Sequence, residues 1–185
     1  MKFNDIIKEY INKDKYVRQF GRYWATDIYS IRKKYTTPET FFKSGDIEID
    51  GCKMILTGQA MEDMLTKIFK TMKVDFKAQE KKVMKINKDI ELVVKPDFVL
   101  PNYIIETKHP FSMTTIKKIP ERYYAQLECE YRAFNKTVYL GILSSPFNLE
   151  LIEYIPSKRR WSNIQKLLID FHEKLKAIKD VSEKT

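Results

Sequence analysis

Residues 95–110 read K-P-D-F-V-L-P-N-Y-I-I-E-T-K-H-P, and this stretch decides the fold that the sequence predicts. Valine, isoleucine, phenylalanine and tyrosine dominate residues 91–100 and residues 103–108, which is typical of β-strands. Pro101 and Asn102 lie between the two segments and mark a turn. The pattern therefore predicts a β-hairpin.

The register of this hairpin decides which side chains meet. If the turn has two residues, the facing pairs are Leu100–Tyr103, Val99–Ile104, Phe98–Ile105 and Asp97–Glu106. Lys108 then lies on the same face as Glu106, because side chains alternate along a strand. The sequence alone leaves the register open, since proline cannot adopt the positive φ of a type I′ turn.

Asp97, Glu106 and Lys108 form a set that suits a metal-assisted reaction on phosphate. Carboxylate oxygens are hard ligands for Mg²⁺ or Mn²⁺, and such an ion polarises a phosphate and activates water. A neighbouring lysine orients that water and neutralises developing charge. The alternative is a solvent-exposed ion pair at a sheet edge. The apolar flanks favour the metal site, because charges that end core strands are usually paired or ligating.

At Pro96-Asp97 and Glu106-Thr107-Lys108 the chain resembles the PD-(D/E)XK nuclease superfamily. The resemblance implies a restriction-endonuclease-like α/β core, in which helices flank a mixed β-sheet, and the predicted order of elements agrees with it. It also implies that Asp97 and Glu106 hold one or two Mg²⁺ or Mn²⁺, with the Thr107 carbonyl as a further ligand. Lys108 would orient the attacking water.

A third carboxylate is predicted on a helix that we expect to begin at Thr57. RecB-like members of the superfamily place a histidine four residues after a glycine at this point, and other branches use glutamate there. By this resemblance Glu62, four residues after Gly58, is a metal ligand and catalytic residue. The alternatives are a solvated helix glutamate at position 62, or Asp63 as the ligand.

The next helix is expected to open at Pro120, and Gln126 within it is the fifth predicted catalytic residue. Gln126 resembles the glutamine of a Gln-x-x-x-Tyr pattern that RecB-like nucleases carry after the catalytic strand. In this chain Tyr131 comes five residues on instead of four. The resemblance gives Gln126 a role in holding the lysine or contacting the substrate phosphate, and the alternative is a surface glutamine.

Residues 1–55 predict a helical N-terminal region ahead of the core. We expect an amphipathic helix from Phe3, a second helix from Thr26 or Asp27 to about Tyr35, and a short helix near residues 39–43. Residues 26–29, T-D-I-Y, resemble a Ser/Thr-Asp-Ile/Leu-Tyr stretch near the start of RecB-type nuclease domains. In those domains Cys-Pro-Arg follows, whereas this chain has Ser30-Ile31-Arg32 in its place.

The chain has two cysteines, Cys52 and Cys129, and neither belongs to a C-x-x-C motif. Some RecB-like relatives bind an iron–sulfur cluster, which needs four thiolates. We therefore expect two buried free thiols and no iron–sulfur cluster.

The remaining elements complete the predicted sheet. Residues 76–86 indicate a lysine-rich edge strand, residues 137–143 a central strand, and residues 149–155 a strand nearer an edge. Lys158 opens the last helix, and residues 109–115 form a loop expected to close over the site. We predict one nuclease domain over residues 1–185, with residues 1–55 as the N-terminal region, residues 56–178 as the core and residues 179–185 as a tail.

The charge balance suits a polyanionic partner. The chain has 34 Lys and Arg against 25 Asp and Glu, a net charge of +9, and nucleic acid is the usual partner of such a surface. A merely soluble lysine-rich surface is the alternative. The residues predicted to contact DNA are Arg32, Lys33, Lys117, Lys118, Arg122, Lys158, Arg159 and Arg160. Basic residues interleave with aromatic rings over residues 18–35, which suits single strands, although most of these rings are more typical of a core.

No stretch approaches 18 consecutive apolar residues and the N-terminus does not read as a signal peptide, so we expect a cytoplasmic protein without a membrane partner. The resemblance to RecB-like, CRISPR-associated-type exonucleases implies a metal-dependent DNA exonuclease that acts on single strands or ends. Two alternatives stay open. One is a structure-specific endonuclease such as a Holliday junction resolvase, which would be a homodimer, and the other is a non-enzymatic DNA-binding protein.

Overall fold

The computed structural model describes residues 3–13, 17–43, 45–109, 118–144 and 148–182. The helices are α1 (Phe3–Lys13), α2 (Asp27–Arg32), α3 (Ile49–Thr71), α4 (Tyr124–Phe134) and α5 (Lys158–Ser182), with a short 3₁₀ helix at Glu121–Tyr123. The strands are β1 (Arg22–Trp24), β2 (Lys77–Ala78), β3 (Lys82–Lys85), β4 (Glu91–Val94), β5 (Phe98–Val99), β6 (Tyr103–Lys108), β7 (Thr137–Ser144) and β8 (Asn148–Tyr154). The predicted α/β class with a helical N-terminal region is confirmed.

The strands form two mixed sheets. One has five strands in the order β2-β5-β6-β7-β8, and the other has three in the order β1-β4-β3. Within the larger sheet β6 and β7 run parallel and the other neighbours run antiparallel. As predicted, β7 is an inner strand and β8 lies at an edge.

Helices lie on both faces of the five-stranded sheet, because the side chains of β6 alternate between two cores. Ile104 belongs to the larger core, which also contains Leu127 of α4 and Leu168 of α5. Ile105 points into a smaller core with Leu65 of α3. The sheet is thus held between α4 and α5 on one side and α3 on the other.

The predicted hairpin register is confirmed. Phe98 pairs with Ile105 and Val99 pairs with Ile104 in an antiparallel ladder. The backbone N–H of Leu100 donates to the carbonyl of Tyr103 over 2.9 Å, which closes the two-residue turn. This register brings residues 97 and 106 to the same end of the hairpin.

The prediction of one strand over residues 91–100 is wrong. The segment divides at Pro96 into β4, which belongs to the three-stranded sheet, and β5, which belongs to the five-stranded sheet. Proline lacks the N–H that a sheet ladder needs and fixes φ, so the chain leaves one sheet there and enters the other.

Residues 76–86 divide in the same way, so the single strand predicted there is also wrong. Gln79, with a φ of 52°, separates β2 from β3, and these two strands lie in different sheets. The prediction of an edge position is confirmed, since β2 and β3 are each the outermost strand of their sheet. Two crossings between the sheets therefore lie side by side.

Helix α3 begins at Ile49, so the predicted cap at Thr57 is wrong. The Thr57 hydroxyl donates to the carbonyl of Lys53 over 2.8 Å, inside the helix. Cys52 is buried where α1 meets α3, and Asn12 of α1 contacts its sulfur. This packing carries the helix through Gly58, although a mid-helix glycine costs about 1 kcal/mol.

Other predictions for the N-terminal region are partly confirmed. Helices α1 and α2 are present, but α2 ends at Arg32 and β1 was not foreseen. Residues 39–43 form turns instead of a helix, with backbone bonds from Thr40 to Thr37 and from Lys43 to Thr40. Both cysteines are free and buried, as predicted. Among the described helices, none combines the length and apolar character needed to cross a membrane.

Candidate active site

A cleft of about 890 Å³ lies where the chain passes from one sheet to the other. Helix α3, the crossings that follow β2 and β4, the end of β6 and the start of α4 form its walls. The predicted site residues that line it are Glu62, Asp97, Glu106, Thr107, Lys108, Arg122 and Gln126. A second cavity of about 550 Å³, between α2 and α5, contains none of the predicted catalytic residues.

Asp97 lies directly after Pro96, at the second crossing, and is fixed by Thr107. The backbone N and the hydroxyl of Thr107 donate to Asp97 Oδ2 over 2.7 and 2.6 Å. Burial raises the pKa of Asp97 to about 7, with the carboxylates of Glu106 and Glu62 adding to the rise and Lys108 opposing it. A carboxyl group in such a place gains from any nearby cation.

Glu106 and Lys108 lie two residues apart on β6, and their side chains meet on one face. Lys108 Nζ donates to Glu106 Oε1, and Glu106 is only 3% exposed. Burial alone would lower the pKa of Lys108, but Glu106 and Asp97 outweigh it and raise the pKa above its usual value. The lysine is therefore a half-buried, charged ammonium group beside two carboxyl groups.

Glu62 and not Asp63 lines the cleft, since Asp63 is exposed on the outer side of α3. Glu62 Oε2 accepts a hydrogen bond from Gln79 Nε2 over 2.9 Å. Burial raises the pKa of Glu62, the bond from Gln79 opposes this, and Glu106 adds to the rise. Gln79 itself accepts a bond from Lys95 Nζ over 3.2 Å.

The donor set fits a hard divalent cation. Three carboxyl groups line one cleft, and burial and mutual repulsion raise the pKa of two of them, Asp97 and Glu62. Asp97 Oδ1 and Glu62 Oε1 receive no hydrogen bond from any described residue. Within the described ranges, no three acidic, histidine or cysteine side chains are gathered closely enough to hold a metal ion as they stand.

Gln126 is buried at the edge of the cleft, 8% exposed, and its Nε2 donates to Glu130 Oε1 over 2.9 Å. Glu130 therefore stands four residues after Gln126, at the position where the RecB-like pattern has tyrosine. Glu130 is 1% exposed, and its Oε2 has no hydrogen-bond partner among the described residues. Burial, followed by Glu106, raises the pKa of Glu130 well above its ordinary value.

Comparisons with known proteins were made for both the sequence and the structure. No protein-family model matches the sequence, and no curated protein matches it. The structure matches the crystal structure of SSO0001 with a TM-score of 0.70 at 15% identity, covering 92% of this chain and 85% of that one. It also matches an alkaline exonuclease, LHK-Exo from Laribacter hongkongensis, with a TM-score of 0.67 at 11% identity, covering 89% and 93%.

This chain has a PD-(D/E)XK nuclease-like fold. At identities of 15% and 11% the likeness concerns the fold, and the chemistry has to be argued from this chain's own residues. Within this fold, Asp97, Glu106, Thr107 and Lys108 of the motif line one cleft.

Sequence reasoning missed Gln79 and Lys95, which line this cleft, and Glu130, which accepts a hydrogen bond from Gln126 at its edge. Glu130 carried a signal, because residues four apart on a helix share a face and Gln126 is itself a predicted site residue. Gln79 and Lys95 carried none, since they approach Glu62 only through the division of the two predicted strands.

The predicted DNA contacts are spread over the surface. Arg122 lines the cleft with its guanidinium 4.7 Å from the Tyr123 ring centroid. Arg32 and Lys33 on α2 form ion pairs with Glu121 at 2.9 and 3.5 Å. Lys118 is exposed, whereas Lys117 and residues 110–115 of the predicted loop lie outside the described residues.

At the start of α5, Lys158 and Arg159 are exposed, but Arg160 is drawn into the protein. Arg160 donates to the Tyr154 hydroxyl and lies 3.5 Å from the carboxylate of Glu128, which is fully buried. Arg160 therefore has an internal partner in the buried Glu128.

Proposed function

We propose that this protein is a metal-dependent deoxyribonuclease that hydrolyses phosphodiester bonds and acts as a RecB-like exonuclease on single strands or ends. The observation that carries the proposal is the cleft in which Asp97, Glu106 and Lys108 meet, with Glu62 also lining it. A site for a neutral ligand would gain nothing from one buried and two half-buried carboxyl groups, because poorly solvated charge without a cation is costly.

In this proposal Asp97, Glu106 and Glu62 hold one or two Mg²⁺ or Mn²⁺, and the Thr107 carbonyl is a further ligand. When bound, the ion supplies Lewis acidity for the scissile phosphate and lowers the pKa of a coordinated water. Thr107 keeps Asp97 in place through its two hydrogen bonds.

Lys108 is the residue that we assign to the attacking water. Its half-buried ammonium group donates to Glu106, so it stays charged and close to the reacting phosphate. In a site with little water, such a charge stabilises the extra negative charge of the transition state more strongly than it would in solvent. Gln126 lines the same cleft and is assigned to positioning the lysine or contacting the phosphate.

DNA is the proposed substrate because the chain carries a net charge of +9, and Lys95 and Arg122 extend the positive charge along the cleft. The name of one structural neighbour, an alkaline exonuclease, agrees with exonuclease action.

Labelled single-stranded, duplex and junction DNAs incubated with Mg²⁺ or Mn²⁺ test this proposal. We expect progressive shortening of single strands from an end, no cleavage in EDTA, and no cleavage by Asp97→Ala or Glu106→Ala variants that remain folded. Undiminished cleavage in EDTA would contradict the metal mechanism. Discrete cuts only in junctions would indicate a structure-specific endonuclease, and binding of all substrates without cleavage would indicate a DNA-binding protein.

A further inference from the structure

Gln79 links a cation and an anion on one wall of the cleft. Its Nε2 donates to Glu62 Oε2 over 2.9 Å, and its Oε1 accepts from Lys95 Nζ over 3.2 Å. These contacts fix the orientation of the amide, because the reverse orientation would place oxygen against carboxylate and NH₂ against ammonium. The three side chains therefore form a directed chain from Lys95 through Gln79 to Glu62.

An amide is the side-chain group that this place requires. It offers a donor to the carboxylate of Glu62 and an acceptor to the ammonium of Lys95 at the same time. A carboxylate at position 79 would repel Glu62, and an apolar side chain would leave both neighbours without these bonds. The amide of Gln79 therefore matches both of its neighbours, Glu62 and Lys95.

The backbone holds Gln79 in place from the other side. Its N–H donates to the carbonyl of Asp97 over 2.9 Å, and Ala78 before it pairs with Phe98. Gln79 has a φ of 52°, a left-handed conformation that is strained for a non-glycine residue. Glycine would relieve that strain, but it would remove the amide.

We propose that Gln79 is a positioning residue for Glu62, and that the Lys95–Gln79–Glu62 chain sets the affinity of the cleft for its divalent cation. This inference rests on the proposed function, since it assigns Glu62 as a metal ligand. With Oε2 held by Gln79, Oε1 of Glu62 is the oxygen available to the ion. Glu62 comes from α3, while Asp97 belongs to the strand crossing, so an external contact is needed to fix one relative to the other.

Gln79→Met and Gln79→Gly form the central pair of variants. Methionine keeps the length of the side chain, glycine relieves the positive φ, and both remove the amide. We expect each to raise the dissociation constant for Mn²⁺ by about 10-fold or more, measured by calorimetry or by electron paramagnetic resonance without DNA. Lys95→Met should raise it by a smaller factor, because Gln79 then keeps its bond to Glu62. Gln165→Met, on α5 and away from the cleft, is the matched control and should leave Mn²⁺ binding unchanged.

A double-mutant cycle separates positioning from a general structural role. If Gln79 acts through Glu62, Gln79→Met should have little further effect on Mn²⁺ affinity in a Glu62→Ala background. Melting curves in EDTA establish that every variant is folded. Wild-type Mn²⁺ affinity in both Gln79 variants, a loss in only one of them, or full additivity with Glu62→Ala would overturn the inference.

The same experiment distinguishes failure of the Gln79 inference from failure of the proposed function. If the wild type neither binds Mn²⁺ nor cleaves DNA, the proposed function is wrong and the inference falls with it. If the wild type binds and cleaves, and Glu62→Ala weakens Mn²⁺ binding while Gln79→Met does not, the inference alone is wrong.

Discussion

Thr107 donates two hydrogen bonds to one oxygen of Asp97, from its backbone N over 2.7 Å and from its hydroxyl over 2.6 Å. Thr107 stands between Glu106 and Lys108 on β6. The two bonds therefore fix the carboxyl group at the strand crossing to the strand that carries the other two central residues.

Replacing Thr107 with valine should show how much the hydroxyl bond to Asp97 contributes to activity apart from the backbone bond. Valine keeps the shape and the backbone N–H but removes the hydroxyl, and a hydrogen bond to a charged group contributes about 1.5–3 kcal/mol. We expect kcat/KM for DNA cleavage to fall by about 10- to 100-fold in Thr107→Val, and to remain near the wild-type value in Thr107→Ser. Equal activity of the two variants in steady-state assays would show that the hydroxyl is not needed.

Asp97 should make the stability of the metal-free protein depend on pH. Its pKa is raised from 3.8 to about 7, so between these values the folded state binds a proton that the unfolded state has lost. The stabilisation is complete below about pH 4 and is lost as the pH rises through about 7. Urea unfolding in EDTA should therefore give a free energy of unfolding that falls over this range.

Asp97→Asn should weaken this dependence, because the amide keeps an oxygen for Thr107 and does not ionise, while the raised pKa values of Glu62 and Glu130 leave their own contributions in place. At pH 8 the variant should melt higher than the wild type in EDTA, and we expect it to be inactive with Mn²⁺. A gain of about 2 kcal/mol corresponds to roughly 4–8 °C for a chain of this size. Asp63→Asn, at the exposed neighbour of Glu62, is the control and should leave the pH profile unchanged.

Lys108→Met should separate metal binding from turnover. The charge of Lys108 matters chiefly in the transition state, so kcat should fall by about 100-fold or more while Mn²⁺ still binds. The variant also leaves Glu106 buried without its ammonium partner, which should lower the melting temperature in EDTA. Added Mn²⁺ should recover much of the lost melting temperature. A wild-type kcat in this variant would contradict the role assigned to Lys108.

The three basic residues at the start of α5 should behave differently from one another. Alanine at both Lys158 and Arg159, which are exposed, should leave the melting temperature unchanged. If they contact DNA, the double variant should flatten the salt dependence of binding by roughly 0.7–0.9 log unit per lost phosphate contact. An unchanged slope would remove both residues from the predicted contact set.

Arg160→Ala should instead destabilise the protein by about 1–3 kcal/mol, because the buried Glu128 loses a partner. Arg132 continues to contact Glu128 at 2.8 Å, which limits the loss. Denaturant unfolding of the single variant measures the effect. No loss of stability would show that the guanidinium of Arg160 does not contribute to this network.

The central hairpin was predictable because residues close together in the sequence determine its strands and its register. Alternating apolar residues and a two-residue turn fix the register, and the register alone brings Asp97 to the end where Glu106 and Lys108 lie. Pro96 is part of the matched motif, and it also interrupts the hydrogen-bonded ladder of residues 91–100. A proline in a run of β-formers indicates a break, and here the break places the two halves in different sheets.

The start of α3 was missed for the opposite reason, because it depends on contacts distant in sequence. Thr57 and Gly58 look like a helix boundary, yet Cys52 packs against α1 and holds the earlier turns in the helix. The position of Gln79 beside Glu62 is likewise a property of the two sheets together. Pattern and propensity cannot report such contacts.

The burial of Cys52 and Cys129 has a practical consequence for studying the cleft. They are the chain's two cysteines, and neither side chain is exposed to a thiol reagent in the folded protein. Gly58 lines the cleft one helical turn before Glu62, and a Cβ added there meets no described atom within 4 Å. Gly58→Cys would therefore give the folded protein a single reactive handle one helical turn from Glu62, in the cleft that we propose binds DNA. Disulfide cross-linking to DNA that carries a thiol at successive nucleotides would then show the path of the bound strand.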